Sequence, residues 1–213
     1  MKNVKLLMVA SLCLTAAAAT VWGDEVRIIG NRSSSNVSPW WGSSFNAMRF
    51  MVLWTKADLG FVRGGYINKI EWERSSTARG TFNNVRIYFC HSTRTALDRT
   101  FNNNYSGTPV QVLNASSLTV TGTTGQWWNT GITPNEFSYD NTRNLLMEIR
   151  WRGDSGTACA CYRADGTQKR MWANSDTATT GSIFNQLQRL RMTIANATGV
   201  APTSLGRVKA LYE

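Results

Sequence analysis

The stretch Asn144–Arg152, NLLMEIRWR, restricts the fold more than any other part of the chain. On an extended backbone Leu145, Met147, Ile149 and Trp151 fall on one face, while Glu148, Arg150 and Arg152 occupy most of the other. Asn83–Cys90, NNVRIYFC, repeats the pattern, with Val85, Ile87 and Phe89 set against Arg86, Tyr88 and Cys90. Strands with one apolar and one wet face are what two packed antiparallel sheets require. EVRIIG, NAMRFMVLW, GYINKIEWE, TPVQVLN, SLTVTG, GQWWNTGI, RLRMTIAN and GRVKALYE read as further strands, with turn-like spacers between them. An all-β, antiparallel two-sheet sandwich is therefore expected, with jelly-roll winding. In GYINKIEWE the alternation of Ile67, Ile70 and Trp72 slips by one residue, which places a β-bulge near Asn68 and Lys69. TKADLG reads as a turn or a single helical turn, and GSIFNQLQRL as a short helix.

The first residues, MKNVKLLMVASLCLTAAAATVWG, carry Lys2 and Lys5, then an apolar run, then small residues. That is the pattern of a secretory signal peptide over residues 1–23. The apolar run is too short for a comfortable membrane span. Leu12 before Cys13 is not the small residue that lipidation of that cysteine would need. Residues 24–44 are expected to form an N-terminal strand and linker, and residues 45–213 a sandwich with a C-terminal edge segment. With Lys2 and Lys5 in the leader, 21 of the 23 basic residues and all 13 acidic ones remain, a net charge of +8. A basic exported protein is suited to acidic envelope polymers and anionic surfaces. The charges are dispersed, and no five-residue window is mostly Lys or Arg, so nucleic acid is not an expected partner.

Three cysteines follow the leader: Cys90, Cys159 and Cys161. An odd count in an exported chain leaves at least one free thiol or an intermolecular partner. Cys159 and Cys161 are two apart on one strand, about 6 to 7 Å between Cβ atoms, too far for a relaxed disulfide. A bond from Cys90 to one of them is the expected pairing, if their strands are neighbours. All three lie off the core face by alternation, and they would be buried only if another segment covered that face. His91 could join them around a metal, but Cys90 and His91 point oppositely on a strand, and CAC lacks the two-residue gap of zinc knuckles.

The segment RWRGDSGTACACYR, from Arg150 to Arg163, holds two familiar short patterns. RGD, Arg152–Asp154, sits in a Gly/Asp/Ser cluster that reads as an ordinary hairpin tip. With GDSG as the loop, Trp151 would face Ala158, Ile149 would face Ala160 and Met147 would face Tyr162. GDSG also matches a fragment of a serine-protease signature. Ser155 would need His91 with Asp98 or Asp140, yet His91 stands in YFCHSTRT, and Thr157 and Ala158 follow the tetrad.

Trp127 and Trp128, and Trp40 and Trp41, are adjacent pairs, so one member of each is expected in the core and the other outside. Trp127, Trp128, Trp41 and the loop residue Tyr105 are the candidate ligand contacts, through stacking on sugar rings. Glu71 and Glu73, with Glu148 on another strand, are the one carboxylate set that could suggest glycoside hydrolysis. Asp140, Asn141, Asp154 and the run Asn102–Asn104 are oxygen donors for a calcium ion, without EF-hand spacing. Calcium is thus a candidate ligand, and no cofactor is expected.

GGYINKIEWE, NNVRIYFCHSTRTAL, GQWWNTGI and YDNTRNLLMEIRWRGDSG together resemble bacterial exported jelly-roll-like β-sandwich domains, over roughly residues 45–196. Such modules occur in cell-surface adhesins and in cargo of the type IX secretion system. The resemblance carries no catalytic set. It implies surface adhesion, carbohydrate contact or packing beside an enzyme domain. With the net charge of +8 and outward thiols, which suit self-association, the expectation is a secreted or cell-surface bacterial protein, without enzymatic activity, that acts in adhesion or self-assembly. Its partners would be other copies of itself or other surface proteins. The alternative is a polysaccharide-binding module, and a glycoside hydrolase comes third.

Overall fold

A computed structural model describes residues 23–36, 39–42 and 45–196. The expected leader up to residue 22 and the segment GRVKALYE lie outside the described residues. In chain order the strands are β1 (Glu25–Ile29), β2 (Ser34–Asn36), β3 (Ala47–Trp54), β4 (Gly65–Glu73), β5 (Gly80–Ser92), β6 (Val110–Val120) and β7 (Trp127–Asn129). They continue with β8 (Ser138–Tyr139), β9 (Asn144–Arg152), β10 (Asp154–Gly156), β11 (Cys161–Ala173), β12 (Ser182–Gln188) and β13 (Leu190–Asn196). One helical turn, α1 (Lys56–Leu59), follows β3. The Thr55 and Asp58 side chains cap it reciprocally, and Gly60 closes it at φ +62°.

All named strand pairs are antiparallel, and they form two sheets. Sheet A runs β1-β13-β4-β7, with β8 also on β4. Sheet B runs β5-β9-β3-β11-β12, with β6 on the other edge of β5, β10 on β5 beyond the end of β9, and β2 on β11. The apolar faces meet in one core that includes Trp40, Phe50, Trp54, Trp72, Phe89 and Trp151, each essentially inaccessible to water. Two of these four buried indoles place their N–H on an oxygen, and those of Trp40 and Trp54 have no acceptor among the described residues. Trp72 donates to Thr130 Oγ1 at 2.9 Å and Trp151 to the Pro39 carbonyl at 2.8 Å. The expected bulge is present: Thr193 stands opposite Lys69 and Ile194 opposite Ile67, so Asn68 is the extra residue.

Two local expectations are overturned. GSIFNQLQRL is not a helix. Ile183, Leu187 and Leu190 have helical spacing, but Ser182–Gln188 pairs with β11 as β12, and Leu190 opens β13. The GDSG hairpin does not form either. β9 is already paired on both edges, by β3 and by β5, so the chain after it cannot fold back onto it. Gly153, at φ +83°, instead carries the chain onward along β5, where Asp154 faces Phe82 and Ser155 faces Thr81. The Gly153 N–H donates to the Asn46 carbonyl and its own carbonyl accepts from the Asn83 N–H. RGD is therefore part of a sheet and not a projecting tip.

The outer face of sheet B is also covered in part. The segment 93–109, with a 3₁₀ turn at Phe101–Asn104, packs on it and builds a second apolar cluster. That cluster contains Met51, Leu53, Cys90, Leu97, Phe101, Leu146 and Met171. Asn104, fully buried, holds the segment together. Its side-chain carbonyl accepts from the Asp98 N–H at 2.7 Å, and its amide donates to the Asp98 carbonyl at 2.9 Å. Backbone bonds from Phe101 to Thr179 and from Gly181 to Arg99 tie the same segment to the β11–β12 connection.

Candidate ligand-binding groove

The part of sheet B that segment 93–109 leaves open holds a groove of about 810 Å³. Alternation along β5 turns Arg86 and Tyr88 outward, and Asn84 lies two residues before Arg86. Register with β6 then places Asn114 opposite Arg86 and Gln111 opposite Tyr88. Arg152 enters from the end of β9, and Asp176 and Thr177 from the β11–β12 connection. The walls are thus amide, hydroxyl and guanidinium groups, with the Asp176 carboxylate, around one phenol ring.

The electrostatics follow from register. Arg86, Arg150 and Arg49 stand directly opposite one another across β5, β9 and β3. Like charges in such cross-strand positions repel, so counter-charge is needed beside them. Glu148, fully buried, binds Arg49 through Nη2 at 3.0 Å and Nε at 3.2 Å, and it also accepts from Arg150 and from the Tyr105 hydroxyl. Burial and the neighbouring Glu148 charge push the Tyr105 hydroxyl up to about 12. Asp176, also buried, accepts from Arg152 Nε at 3.0 Å and Nη2 at 2.7 Å on one oxygen, and from Arg86 Nη2 at 3.2 Å on the other. The Arg150 guanidinium lies 5.6 Å from the centre of the Tyr88 ring.

A second groove, about 560 Å³, lies on the other flank of the β11–β12 connection and is lined by Arg99, Trp172, Asn174, Thr180 and Ser182. Trp172 stacks on Phe184, with 5.7 Å between ring centres and 3° between planes.

The four aromatic candidates fall elsewhere. Trp128 packs on the core, 5.4 Å from Trp40. Trp127 lies half-buried on the outer face of sheet A, with Arg189 and Arg191 at 5.7 and 5.0 Å from its ring centre. Trp41 packs against Phe45 and against Trp172, at 4.9 and 5.7 Å, and so adjoins the second groove. Tyr105 anchors segment 93–109 to Glu148. None of the four lines the larger groove.

The expected disulfide is corrected: Cys90, Cys159 and Cys161 are all free and buried. Cys90 lies near one end of β5, its thiol directed at the Gly107 carbonyl beneath segment 93–109. Cys159 lies at the other end, its sulfur against Gly80. Ten residues of strand, about 33 Å, separate those ends. Cys159 and Cys161 are core residues and not surface thiols. Burial raises the pKa of all three and pushes Cys161 up to about 12, against the opposing Arg74 charge.

The same strand length parts other expected sets. His91 and Ser155 lie at opposite ends of β5, and so do Asp140, which touches His91, and Asp154. Among the described residues no three His, Cys, Asp or Glu side chains gather as a metal site. Glu71 and Glu73 face outward on sheet A, where Arg191 grips Glu71 with two bonds of 2.6 Å and Arg32 and Arg189 hold Glu73. Glu148 is on the outer face of sheet B, with the whole core between. Among the described residues no helix is long and apolar enough to cross a membrane.

No family model matches the chain, and no curated protein does. One solved structure with similarity holds the cysteine protease and lectin-like domains of Cwp84, a surface layer associated protein of Clostridium difficile. The likeness has a TM-score of 0.39 at 9% identity and covers 71% of this chain. The chain spans 32% of that structure's length, about a third.

Proposed function

We propose that the protein is an exported carbohydrate-binding module, without enzymatic activity, whose ligand site is the groove on sheet B. On this reading the sandwich has jelly-roll winding and the protein works at or beyond a bacterial cell surface. One observation carries the proposal. The groove combines flat hydrogen-bonding ends, on Asn84, Gln111, Asn114 and Arg86, with the ring of Tyr88. Adjacent sugar hydroxyls are met by paired donors and acceptors of that kind, and a sugar ring packs on an aromatic face. Its volume falls in the range of about 300 to 1,000 Å³ common for small-ligand sites. The test is a glycan array followed by titration of the retained glycans. Tyr88→Ala and Asn114→Ala should each weaken binding about tenfold, the effect of losing one good contact. An array that retains nothing, or groove variants that bind like the parent, would sink the proposal.

Self-assembly is the second reading, and a different surface favours it. Among the described residues β1 is an edge of sheet A, and Val26 and Ile28 on one of its faces are 54% and 52% exposed. An open strand edge with apolar side chains is a template for a second copy. Light scattering across a dilution series tests this. Ile28→Lys should convert associated protein to monomer, and a parent chain that stays monomeric at every concentration rejects the reading.

A further inference from the structure

We infer that the groove takes an acidic glycan, one whose carboxylate or sulfate is received by Arg86 and Arg152. The inference rests on the carbohydrate-binding reading and names the ligand class of that site.

The first argument is charge. Four arginines, Arg49, Arg86, Arg150 and Arg152, share two carboxylates, Glu148 and Asp176. Both carboxylates are buried and already carry two guanidiniums each, so this six-residue cluster keeps an excess of two positive charges, and the groove's own lining, Arg86 and Arg152 with Asp176, keeps one. Arg86, Arg150 and Arg49 stand in one cross-strand row, an arrangement that like-charge repulsion opposes. A neutral sugar would leave that repulsion as it is. An anion in the groove relieves it.

The second argument is donor accounting. Asp176 uses Nε and Nη2 of Arg152 and Nη2 of Arg86. Among the described residues Arg86 Nε and Nη1 and Arg152 Nη1 have no protein acceptor. The two side chains are 36% and 60% exposed, while Asp176 beneath them is 4% exposed. Asp176 thus fixes two guanidiniums side by side from below and leaves donors directed outward for a planar anion. The neighbouring groove repeats the bias. It is lined by Arg99 and by no acidic residue, and among the described residues Arg99 has no carboxylate partner.

Binding of polygalacturonate and of its methyl ester to the full chain, by calorimetry, tests the inference. Dextran sulfate and plain dextran form a second pair, which separates a sulfate ligand from a uronate one. At least one acidic member should bind at least tenfold more tightly than its neutral counterpart. Arg86→Gln and Arg152→Gln should each lose most of that preference, and Arg86→Lys should recover only part of it. Arg79→Gln removes the same charge from an exposed site outside the groove and should bind like the parent. If acidic and neutral members bind alike, the acidic-ligand inference is wrong and the carbohydrate reading stands. If neither pair nor any arrayed glycan binds, the carbohydrate reading itself is wrong. If polyphosphate binds as tightly as the acidic glycan and Arg79→Gln weakens both, the attraction is nonspecific and the inference is overturned.

Discussion

Arg49 and Glu148 meet at 3.0 Å between β3 and β9 with only 4% and 0% of their side chains exposed. Removing one partner of such a pair leaves an uncompensated charge inside the protein, which costs about 3 to 5 kcal/mol. Glu148→Ala should destabilise the fold by that amount, because Arg49 then keeps only neutral acceptors, the Ala178 carbonyl, the Asn102 side chain and the Tyr105 hydroxyl. Urea unfolding measures it, and a loss below about 1 kcal/mol would mean the pair is open to water in solution.

Asn104 is the clasp of segment 93–109, and the effect of Asn104→Ala should be both energetic and local. The backbone groups of Asp98 would lose their partners, at about 1 to 3 kcal/mol for each buried group left unsatisfied. Cys90 lies under the same segment, so its modification by a thiol reagent should speed up in the variant. Loss of stability with Cys90 still protected would show that the segment is held chiefly by Phe101 and Leu97.

In the parent protein Cys90, Cys159 and Cys161 should resist thiol reagents until denaturant is added, since all three are buried and burial favours the unreactive protonated form. Reductant should change neither the melting temperature nor the migration of the chain on a gel. A reductant-sensitive species built on any of these three residues would contradict the structure.

His91 should give the protein an acid-sensitive step. Its ring lies 4.9 Å from that of Phe137, it accepts from the Asp140 N–H at 3.3 Å, and Arg143 Nη2 stands 3.1 Å from Nδ1. Burial holds its pKa below the usual 6.5, and the Arg143 charge acts in the same direction, against the Asp140 carboxylate. The folded state therefore binds this proton less readily than the unfolded one. Its contribution is complete above about pH 6.5 and declines as pH falls through the folded pKa, by at most about 1.4 kcal/mol per pH unit. His91→Gln should flatten unfolding free energy against pH in that window, leaving the steeper loss from carboxylates such as Glu71 and Asp58 at lower pH. An unchanged profile would place the step elsewhere.

The sandwich is legible in the sequence because Val85 to Phe89 of β5 and the core face of β9 alternate cleanly, and the bulge at Asn68 is legible because the alternation breaks there. What local pattern does not carry is pairing. β9 sits between β3 and β5, both distant from it in sequence, and nothing in its own residues distinguishes that from a hairpin with the residues that follow. Alternation places Cys90 off the core face, but its cover, segment 93–109, reads locally as a polar loop. The groove has no spacing motif at all, since Arg86, Asn114, Arg152 and Asp176 come from four separate segments. Its one trace in the sequence is that the outward faces of β5 and β9 both carry arginine.

Because segment 93–109 roofs sheet B, the middle of β3 and β9 is enclosed on both sides, and Met51, Leu53 and Leu146 are as dry as the core residues between them. The molecule is a three-layer stack along that line. Backbone amides of Met51 and Leu146 should then exchange hydrogen only through global unfolding, whereas those of the edge strand β1 exchange through local fraying. The slowest-opening seam of the protein therefore runs along the middle of the contact of β3 with β9, from Met51 and Glu148 to Leu53 and Leu146, where neither strand keeps a wet side.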